Sequence, residues 1–218
     1  MTAPLLSFDP YNLIITGVGG QGNVLASRLL GRMLVAQGYH VTIGETFGAS
    51  QRGGSVMSHL RISARSAWSP QIPHGRAHMV IAIEPSEAFR VLAVYGNPEV
   101  QVIWNTRPIH PVSVITGQAV YPSREEISRG LSKLSAQNWP LDATDQAQGM
   151  GNPIFGNIMM VGALSAVSDL PLGPEIFEKA ICEMMPPAKV PINLEAFSWG
   201  RSALTLTARG QTLICDYQ

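Results

Sequence analysis

Residues 14–22 read Ile14-Ile15-Thr16-Gly17-Val18-Gly19-Gly20-Gln21-Gly22, so a short apolar run stands directly before a glycine-rich turn. The apolar run predicts a buried strand over residues 12–16, of the nearly continuous hydrophobic kind that parallel sheets use. The residues after the turn predict a helix from Asn23 to about Gln37, with Gly38 as its C-cap glycine. Strand, glycine turn and helix together indicate the start of a βαβ unit.

A second loop rich in glycine follows the next predicted strand. Residues 40–44 predict that strand, and residues 45–54 then read Glu-Thr-Phe-Gly-Ala-Ser-Gln-Arg-Gly-Gly. Because both loops follow strands of one βαβ unit, we expect them at the same end of the sheet. The function therefore depends on whether these two loops hold a nucleotide, or a partner subunit and its cofactor.

The rest of the chain alternates between strand and helix patterns. Strands are predicted at 55–62, 79–83, 100–104 and 141–144, and helices at 85–93, 123–136, 157–167, 174–185 and 193–201. This alternation with short connections predicts an α/β, Rossmann-like fold, in which a mostly parallel sheet carries helices on both faces. We expect a single domain over residues 1–185 and a C-terminal helical extension over residues 186–218 that packs on a partner.

Composition excludes several classes of protein. Fifteen basic and fifteen acidic residues cancel, which leaves no electrostatic footprint for nucleic acid or a membrane surface. No apolar run reaches the roughly 18 residues of a transmembrane helix, and the first ten residues do not resemble a secretion signal, so we expect a cytoplasmic protein. Only 14% of the residues are charged, which favours a surface partly covered by another chain.

The two cysteines, Cys182 and Cys215, lie far apart and form no CxxC pair. Because an iron–sulfur cluster usually takes four cysteine ligands, this chain alone is not expected to carry one. The five histidines do not share a spacing typical of metal ligands. We therefore expect two free thiols and no metal site.

The first glycine turn alone favours a dinucleotide site. Gly17, Gly19 and Gly22 fit the G-x-G-x-x-G pattern between a strand and a helix, and Glu45 ends the second strand where a ribose-binding acid belongs. An autonomous NAD(P)- or FAD-dependent oxidoreductase is therefore one hypothesis. The alternative is that the glycines only allow the helix to pack closely on the sheet, as they would in a non-catalytic scaffold.

An ordered set of motifs indicates a different function. The first glycine loop is followed by Glu45-Thr46-x-Gly48-x-x-x-Arg52-Gly53-Gly54, Glu84-Pro85-x-Glu87-Ala88, Asn105-Thr106-Arg107-Pro108, Tyr121-Pro122-Ser123, Gly151-Asn152-Pro153, Asn157 and Gly162-Ala163-Leu164. The set resembles the small, gamma-type subunit of 2-oxoacid:ferredoxin oxidoreductases. Within that family it is most similar to the beta subunit of indolepyruvate:ferredoxin oxidoreductase. The matches cover residues 12 to about 185.

Three residues depart from the family pattern. Phe47 replaces a histidine of the indolepyruvate branch, Asn23 replaces an aliphatic residue, and His78 replaces an aspartate before the fourth strand. These departures leave the substrate open between aryl and branched 2-oxoacids.

The resemblance implies a subunit and not a complete enzyme. In such complexes thiamine diphosphate, Mg²⁺ and the [4Fe–4S] clusters lie on a large partner chain, coenzyme A accepts the acyl group, and ferredoxin or another acceptor takes the electrons. The resemblance implies no cofactor bound by this chain alone. The small subunit would then pack against the thiamine-binding part and help to shape the entry for coenzyme A.

The candidate cofactor-binding residues lie in the two loops and at the end of a later strand; they are Gly19, Gly20, Gln21, Gly22, Glu45, Gly48, Arg52, Gly53, Gly54 and Asn105. Arg52 is expected to reach a phosphate or carboxylate, or to form an ion pair with Glu45. Gly53 and Gly54 would offer backbone N–H groups to the coenzyme A pyrophosphate, or to a neighbouring chain.

The remaining candidates each have a structural alternative. Gln21 would form a hydrogen bond across a subunit contact, or stand in solvent at the start of the helix. Asn105 ends a strand at the sheet edge where α/β proteins bind ligands, or simply completes a turn. Tyr121 is expected in the core or at an interface. No residue of this chain is predicted to be catalytic.

Overall fold

The fold is organised around a six-stranded sheet. The computed structural model describes residues 3–48, 54–110 and 112–208. In chain order the strands are β1 (Tyr11–Val18), β2 (His40–Phe47), β3 (Ser55–Ser63), β4 (Met79–Ala82), β5 (Gln101–Asn105) and β6 (Gln137–Leu141). Their order across the sheet is β2-β3-β1-β4-β5-β6. The predicted α/β fold is confirmed.

One strand, β3, runs against the others and separates β1 from β2. It pairs antiparallel with β1, where Ile15 lies opposite Ser58, and antiparallel with β2, where Ile43 lies opposite Leu60. The pairs β1–β4, β4–β5 and β5–β6 are parallel. The short connection between β2 and β3 explains the reversal, because a parallel neighbour needs a crossover of a dozen or more residues.

Helices cover both faces of the sheet, as predicted. The helices are α1 (Asn23–Ala36), α2 (Pro85–Tyr95), α3 (Val112–Ile115), α4 (Arg124–Leu134), α5 (Ala143–Gly149), α6 (Gly156–Val167), α7 (Pro174–Met184) and α8 (Val190–Ala208). One core cluster joins the sheet to α1, α6, α7 and α8, and a second joins it to α2 and α4. Successive side chains of β1 point to opposite faces of the sheet, so Leu13 and Ile15 belong to the first cluster and Ile14 belongs to the second.

Local sequence signals fix where several helices begin and end. Helix α4 begins with a capping box: the Ser123 hydroxyl accepts from the Glu126 N–H, and the Glu126 carboxylate accepts from the Ser123 N–H. Helix α2 begins at Pro85, with Glu84 as its N-cap. Gly38 follows α1 with a positive φ of 88°, a conformation that favours glycine.

The C-terminal helix α8 packs on its own domain. Ala196, Phe197, Ala203 and Leu204 are buried in the core cluster that contains β1 and α1, and the ring of Phe197 stacks on Phe177 at 4.1 Å. Helix α8 lies within the extension expected over residues 186–218, so its described part contributes to the domain core. Packing of that extension on a partner stays a prediction.

The sequence prediction was wrong near residue 141. The expected strand at 141–144 lies earlier, at β6, and residues from Ala143 onwards form α5. Strand β6 contains Gln137 and Pro140, and such a polar segment with proline is tolerated because β6 is an edge strand. No helix among the described ranges is both long and apolar enough to cross a membrane.

Candidate functional site

The two glycine loops meet at the edge of the sheet where β1 and β2 end. The Gly19 N–H donates to the Gly54 carbonyl oxygen at 2.8 Å, and the Gly48 N–H donates to the Ser55 carbonyl oxygen at 2.8 Å. The expectation that both loops lie at the same end is therefore confirmed for the described residues. Arg52 and Gly53 lie outside the described residues, and their predicted roles stay predictions.

A cavity of about 370 Å³ opens at this edge, between the ends of β1 and β4. Chain connections leave β1 and β4 in opposite directions, so the cavity lies at the topological switch point where open α/β sheets bind ligands. Three parts of the chain line it: the glycine turn, the segments after β4 and β5, and residues 143–157. The lining includes Gly19, Gly20, Gln21, Ile83, Asn105, Arg107, Pro108, Ile109, Thr144, Ile154 and Asn157.

Gln21 connects the ends of two strands inside the chain. Its side-chain oxygen accepts from the Val18 N–H at 2.8 Å, and its Nε2 donates to the Ile83 carbonyl oxygen at 3.1 Å. The side chain therefore closes the glycine turn and fixes it against β4. This bracing role differs from both sequence interpretations, the subunit contact and the solvated helix start.

Position 22 requires glycine for two reasons, its backbone conformation and the close approach of a neighbouring side-chain amide. Its φ is +82°, and a Cβ atom there would overlap Nδ2 of Asn157. That Nδ2 donates to the carbonyl oxygens of Gln21 at 3.3 Å and Gly22 at 3.4 Å. Gly22 thus lets α6 contact the start of α1 closely.

Asn105 braces the floor of the cavity. It is fully buried, and its Nδ2 donates to the Ile83 carbonyl oxygen at 3.1 Å and to Thr144 Oγ1 at 2.8 Å. Its Oδ1 accepts from the N–H groups of Ala143 and Thr144 at 3.1 and 3.2 Å. The amide is engaged within the chain, which agrees with the turn role. Contact with a ligand stays a prediction.

A cation lies at the rim of the cavity. The guanidinium of Arg107 contacts the Asp145 carboxylate and donates to Gln148 Oε1 at 3.2 Å, while its side chain remains 46% exposed. The rim therefore offers a positive charge that α5 holds in place. The sequence shows Arg107 within the Asn105-Thr106-Arg107-Pro108 motif, but it does not indicate the acidic partner of Arg107 in α5.

Glu45 does not occupy the position of a ribose-binding acid. It lies on β2, which β3 separates from β1, so it stands roughly 10 Å from the strand that leads into the glycine turn. Its Oε1 lies 4.0 Å from Nε of Arg28, a loose contact on a surface where ion pairs stabilise little. This placement and the use of the Gly19 N–H by Gly54 argue against the dinucleotide interpretation.

A second cavity, of about 650 Å³, lies on the other side of the glycine turn. Gly19, Gly20 and Ile154 line both cavities, whereas Asn23, Phe47 and Gly48 line only the second. Asn23 is 3% exposed, and its amide has no hydrogen-bond partner among the described residues. Two of the departures from the family pattern, Asn23 and Phe47, thus line the same cavity.

Sequence reasoning missed how residues 143–157 contribute to the site. Ile154 lines both cavities and Thr144 lines the first, although more than a hundred residues separate them from the glycine turn. The available signal was the Gly151-Asn152-Pro153 motif, which gave no spatial partner. Within the described ranges, no group of three or more His, Cys, Asp and Glu side chains could hold a metal ion.

Comparisons with known proteins identify the family to which the chain is similar. Residues 12–203 match the family described as Pyruvate ferredoxin/flavodoxin oxidoreductase. The chain is 39% identical over 194 residues to the "Indolepyruvate oxidoreductase subunit IorB" of Pyrococcus horikoshii, and the alignment covers 88% of this chain and 95% of that one. The motif-based resemblance is therefore confirmed.

Two solved structures share the fold. The gamma subunit of a keto/oxoacid ferredoxin oxidoreductase from Geobacter sulfurreducens has a TM-score of 0.64 at 20% identity, with 90% of this chain and 99% of that chain covered. A 2-oxoglutarate:ferredoxin oxidoreductase from Magnetococcus marinus, solved with 2-oxoglutarate, coenzyme A and succinyl-CoA bound, has a TM-score of 0.70 at 18% identity. That match covers 92% of this chain and 32% of the longer one.

Proposed function

The chain belongs to the pyruvate ferredoxin/flavodoxin oxidoreductase family, and from this premise we propose that it is the small subunit of a thiamine-diphosphate-dependent 2-oxoacid oxidoreductase complex. Its substrate would be indolepyruvate or another aryl 2-oxoacid, and its product an acyl-CoA. The observation that carries this proposal is the 39% identity to an indolepyruvate oxidoreductase subunit along nearly its whole length. We place the complex in the cytoplasm.

The division of chemistry that we propose between the subunits agrees with the cysteine content. Two cysteines in the whole chain are too few for a four-thiolate cluster, so the [4Fe–4S] clusters are assigned to a large partner. The same partner would hold thiamine diphosphate and Mg²⁺, which supply the decarboxylation. Electrons would leave through the complex to ferredoxin or another acceptor.

This chain would contribute part of the coenzyme A entry. Its edge cavity joins backbone surfaces of Gly19 and Gly20 to the Arg107 guanidinium at the rim. Glycine backbone lets a ligand approach closely, and a guanidinium binds phosphate oxygens in bidentate fashion. The hydrogen bond between Gly19 and Gly54 holds the residue two positions after Arg52 at the same edge, and we propose that Arg52 reaches the ligand from there.

Assembly provides the direct test of the proposal. We expect the native chain to co-purify with a large chain that contains thiamine and four-cysteine iron–sulfur motifs. The complex should reduce an electron acceptor when given indolepyruvate and coenzyme A, and the isolated chain should reduce nothing. Purification of the native protein as a monomer with full turnover would disprove the proposal.

Replacement of Arg52 tests the loop as a coenzyme A site. In the assembled complex, Arg52→Ala is expected to raise the KM for coenzyme A about tenfold, since a lost charge-assisted contact costs about 1.5 kcal/mol. The measurement is steady-state turnover at varied coenzyme A. Arg65→Ala is the control, because Arg65 pairs with Asp9 near the start of β1, at the opposite end of the sheet. Normal assembly with unchanged turnover in the Arg52 variant would favour a scaffold role.

A further inference from the structure

A buried carboxylate, Glu84, joins three separate segments beside the edge cavity. Glu84 follows β4, is 1% exposed and serves as the N-cap of α2. Its Oε2 accepts from the Glu87 N–H at 3.1 Å and from Ser86 Oγ at 2.5 Å. Capping of α2 therefore occupies one carboxylate oxygen and leaves the other for a different partner.

The second oxygen binds the wall of the cavity. Glu84 Oε1 accepts from the Tyr121 hydroxyl at 2.5 Å and from the Ile109 N–H at 3.4 Å. Ile109 belongs to the segment 107–109, which lines the edge cavity. One oxygen atom thus connects Tyr121, about a dozen residues downstream, to the backbone of the cavity wall.

Tyr121 keeps its proton at physiological pH. Burial raises the pKa of its hydroxyl, and the hydrogen bond to Glu84 and the negative charge of that carboxylate raise the pKa further. A hydroxyl whose pKa is raised stays a donor, so the bond to Glu84 persists across the pH range in which an enzyme works. The His110 ring packs against the Tyr121 ring at a centroid distance of 5.1 Å.

The other attachments of the wall are weaker. Arg107 contacts Asp145 with both side chains partly exposed, and exposed ion pairs contribute little to stability. Ile109 itself is 41% exposed, so apolar burial does not fix it firmly. Fully buried Asn105 donates from Nδ2 to the Arg107 carbonyl oxygen at 3.4 Å, a bond between neutral groups. Glu84 is the buried charged group that binds this segment, and a low local dielectric strengthens hydrogen bonds to a charged acceptor.

We propose that Tyr121 is a positioning residue: through Glu84 it fixes the wall formed by residues 107–109, and it thereby sets the affinity of the edge cavity for its ligand. The second half of this proposal rests on the proposed function, in which that ligand is coenzyme A. Tyr121 does not line the cavity, so its effect reaches the ligand only through the wall. The proposal gives a role to two motifs, Glu84-Pro85 and Tyr121-Pro122, that the proposed function leaves unexplained.

Tyr121→Phe in the assembled complex tests both halves. The substitution removes one hydroxyl and retains the ring that packs on His110. Without ligand, we expect hydrogen exchange of the Ile109 amide to become about tenfold faster, because a lost hydrogen bond to a charged group corresponds to about that ratio. We expect the KM for coenzyme A to rise severalfold while kcat stays within twofold.

Tyr39→Phe is the matched control. Tyr39 lies just before the start of β2, away from the cavity. It is buried, whereas Tyr121 is half-buried, and its hydroxyl donates to the Pro4 carbonyl oxygen at 2.9 Å. This variant should leave the Ile109 exchange rate and the KM for coenzyme A unchanged. A change of both quantities in the control would overturn the specific role of Tyr121.

Three further outcomes distinguish the positioning role of Tyr121 from its effect on the affinity for coenzyme A. Exchange at Ile109 equal to that of the wild type in Tyr121→Phe would overturn the proposal outright. Faster exchange with an unchanged KM, in a complex whose wild-type wall is protected by coenzyme A, would overturn the link to affinity. If coenzyme A does not protect residues 107–109 in the wild-type complex, the coenzyme A function of the cavity fails. Faster exchange in the variant would then still support the positioning role.

Discussion

Gly162→Ala is expected to lower the free energy of unfolding by about 3 kcal/mol, the upper range for overpacking a core. Gly162 lies in α6 where α8 crosses it, and a Cβ atom there would overlap the carbonyl oxygen of Phe197. The obstacle is helix backbone, which cannot move aside as a flexible side chain can. On α8, Gly200 approaches the carbonyl oxygen of Met159 in the same way, so the two helices are in close backbone contact on both sides.

The expected effect is measured by urea and thermal unfolding. For a chain of this length, a loss of about 3 kcal/mol corresponds to a midpoint lower by roughly 6–12 °C. Gly149→Ala is the matched control: Gly149 is also helical, and a Cβ there meets nothing within 4 Å. Because alanine is the better helix former, the control should be neutral or slightly stabilising. Equal midpoints for the two variants would contradict the close approach of α6 and α8.

The sequence predicts those parts of the fold that depend on local signals. Helix α1 was predicted from residue 23 to 37 and lies at Asn23–Ala36, because a glycine turn precedes it and Gly38 follows it. The α4 capping box needs only Ser123 and Glu126, three residues apart in one turn. Residues adjacent in the chain determine these helix ends, so the local sequence is sufficient to predict them.

The sequence does not predict the direction and order in which the strands pair across the sheet. Residues 55–62 predict a strand of either direction, and the insertion of β3 between β1 and β2 depends on which edge the chain reaches after Phe47. That insertion argues against the dinucleotide hypothesis, because it moves Glu45 away from the strand that leads into the glycine turn. The dinucleotide pattern of Gly17, Gly19 and Gly22 is therefore satisfied locally, whereas the strand order disfavours its usual meaning.

In the candidate site, too, the sequence predicts the local features but not the contacts between distant residues. Both glycine loops were predicted, and their common location is confirmed by the Gly19–Gly54 hydrogen bond. The partners of the site residues were not predicted, because Asn157 reaches the Gln21 and Gly22 carbonyl groups over 135 or more positions. A glycine motif predicts where the backbone is in close contact with another part of the chain. It does not predict which distant side chain makes that contact.

Asn105→Asp is expected to destabilise the protein by about 3 kcal/mol or more at neutral pH, as an unpaired buried charge does. The substitution keeps the shape of the side chain and keeps an acceptor for the Ala143 and Thr144 N–H groups. It replaces the Nδ2 donor by an oxygen that faces the Ile83 carbonyl oxygen and Thr144 Oγ1. The carboxylate at position 105 and the Ile83 carbonyl oxygen are then two acceptors in contact with no proton between them. The hydrogen bond that braces the floor of the edge cavity is lost.

The loss in Asn105→Asp should depend on pH in a defined direction. Burial beside a carbonyl oxygen raises the pKa of the introduced carboxyl in the folded state above its unfolded value of about 3.9. The protonated form donates to Ile83 as the amide did, so stability is retained below the unfolded pKa and is lost as pH rises through the folded pKa. Urea unfolding from pH 4 to 8 measures this trend. Asn152→Asp is the control, since the Asn152 side chain accepts from the Ile154 N–H as an N-cap, a position where aspartate serves equally well. A pH-independent loss in Asn105→Asp would show that its amide donor does not hold β4, β5 and α5 together.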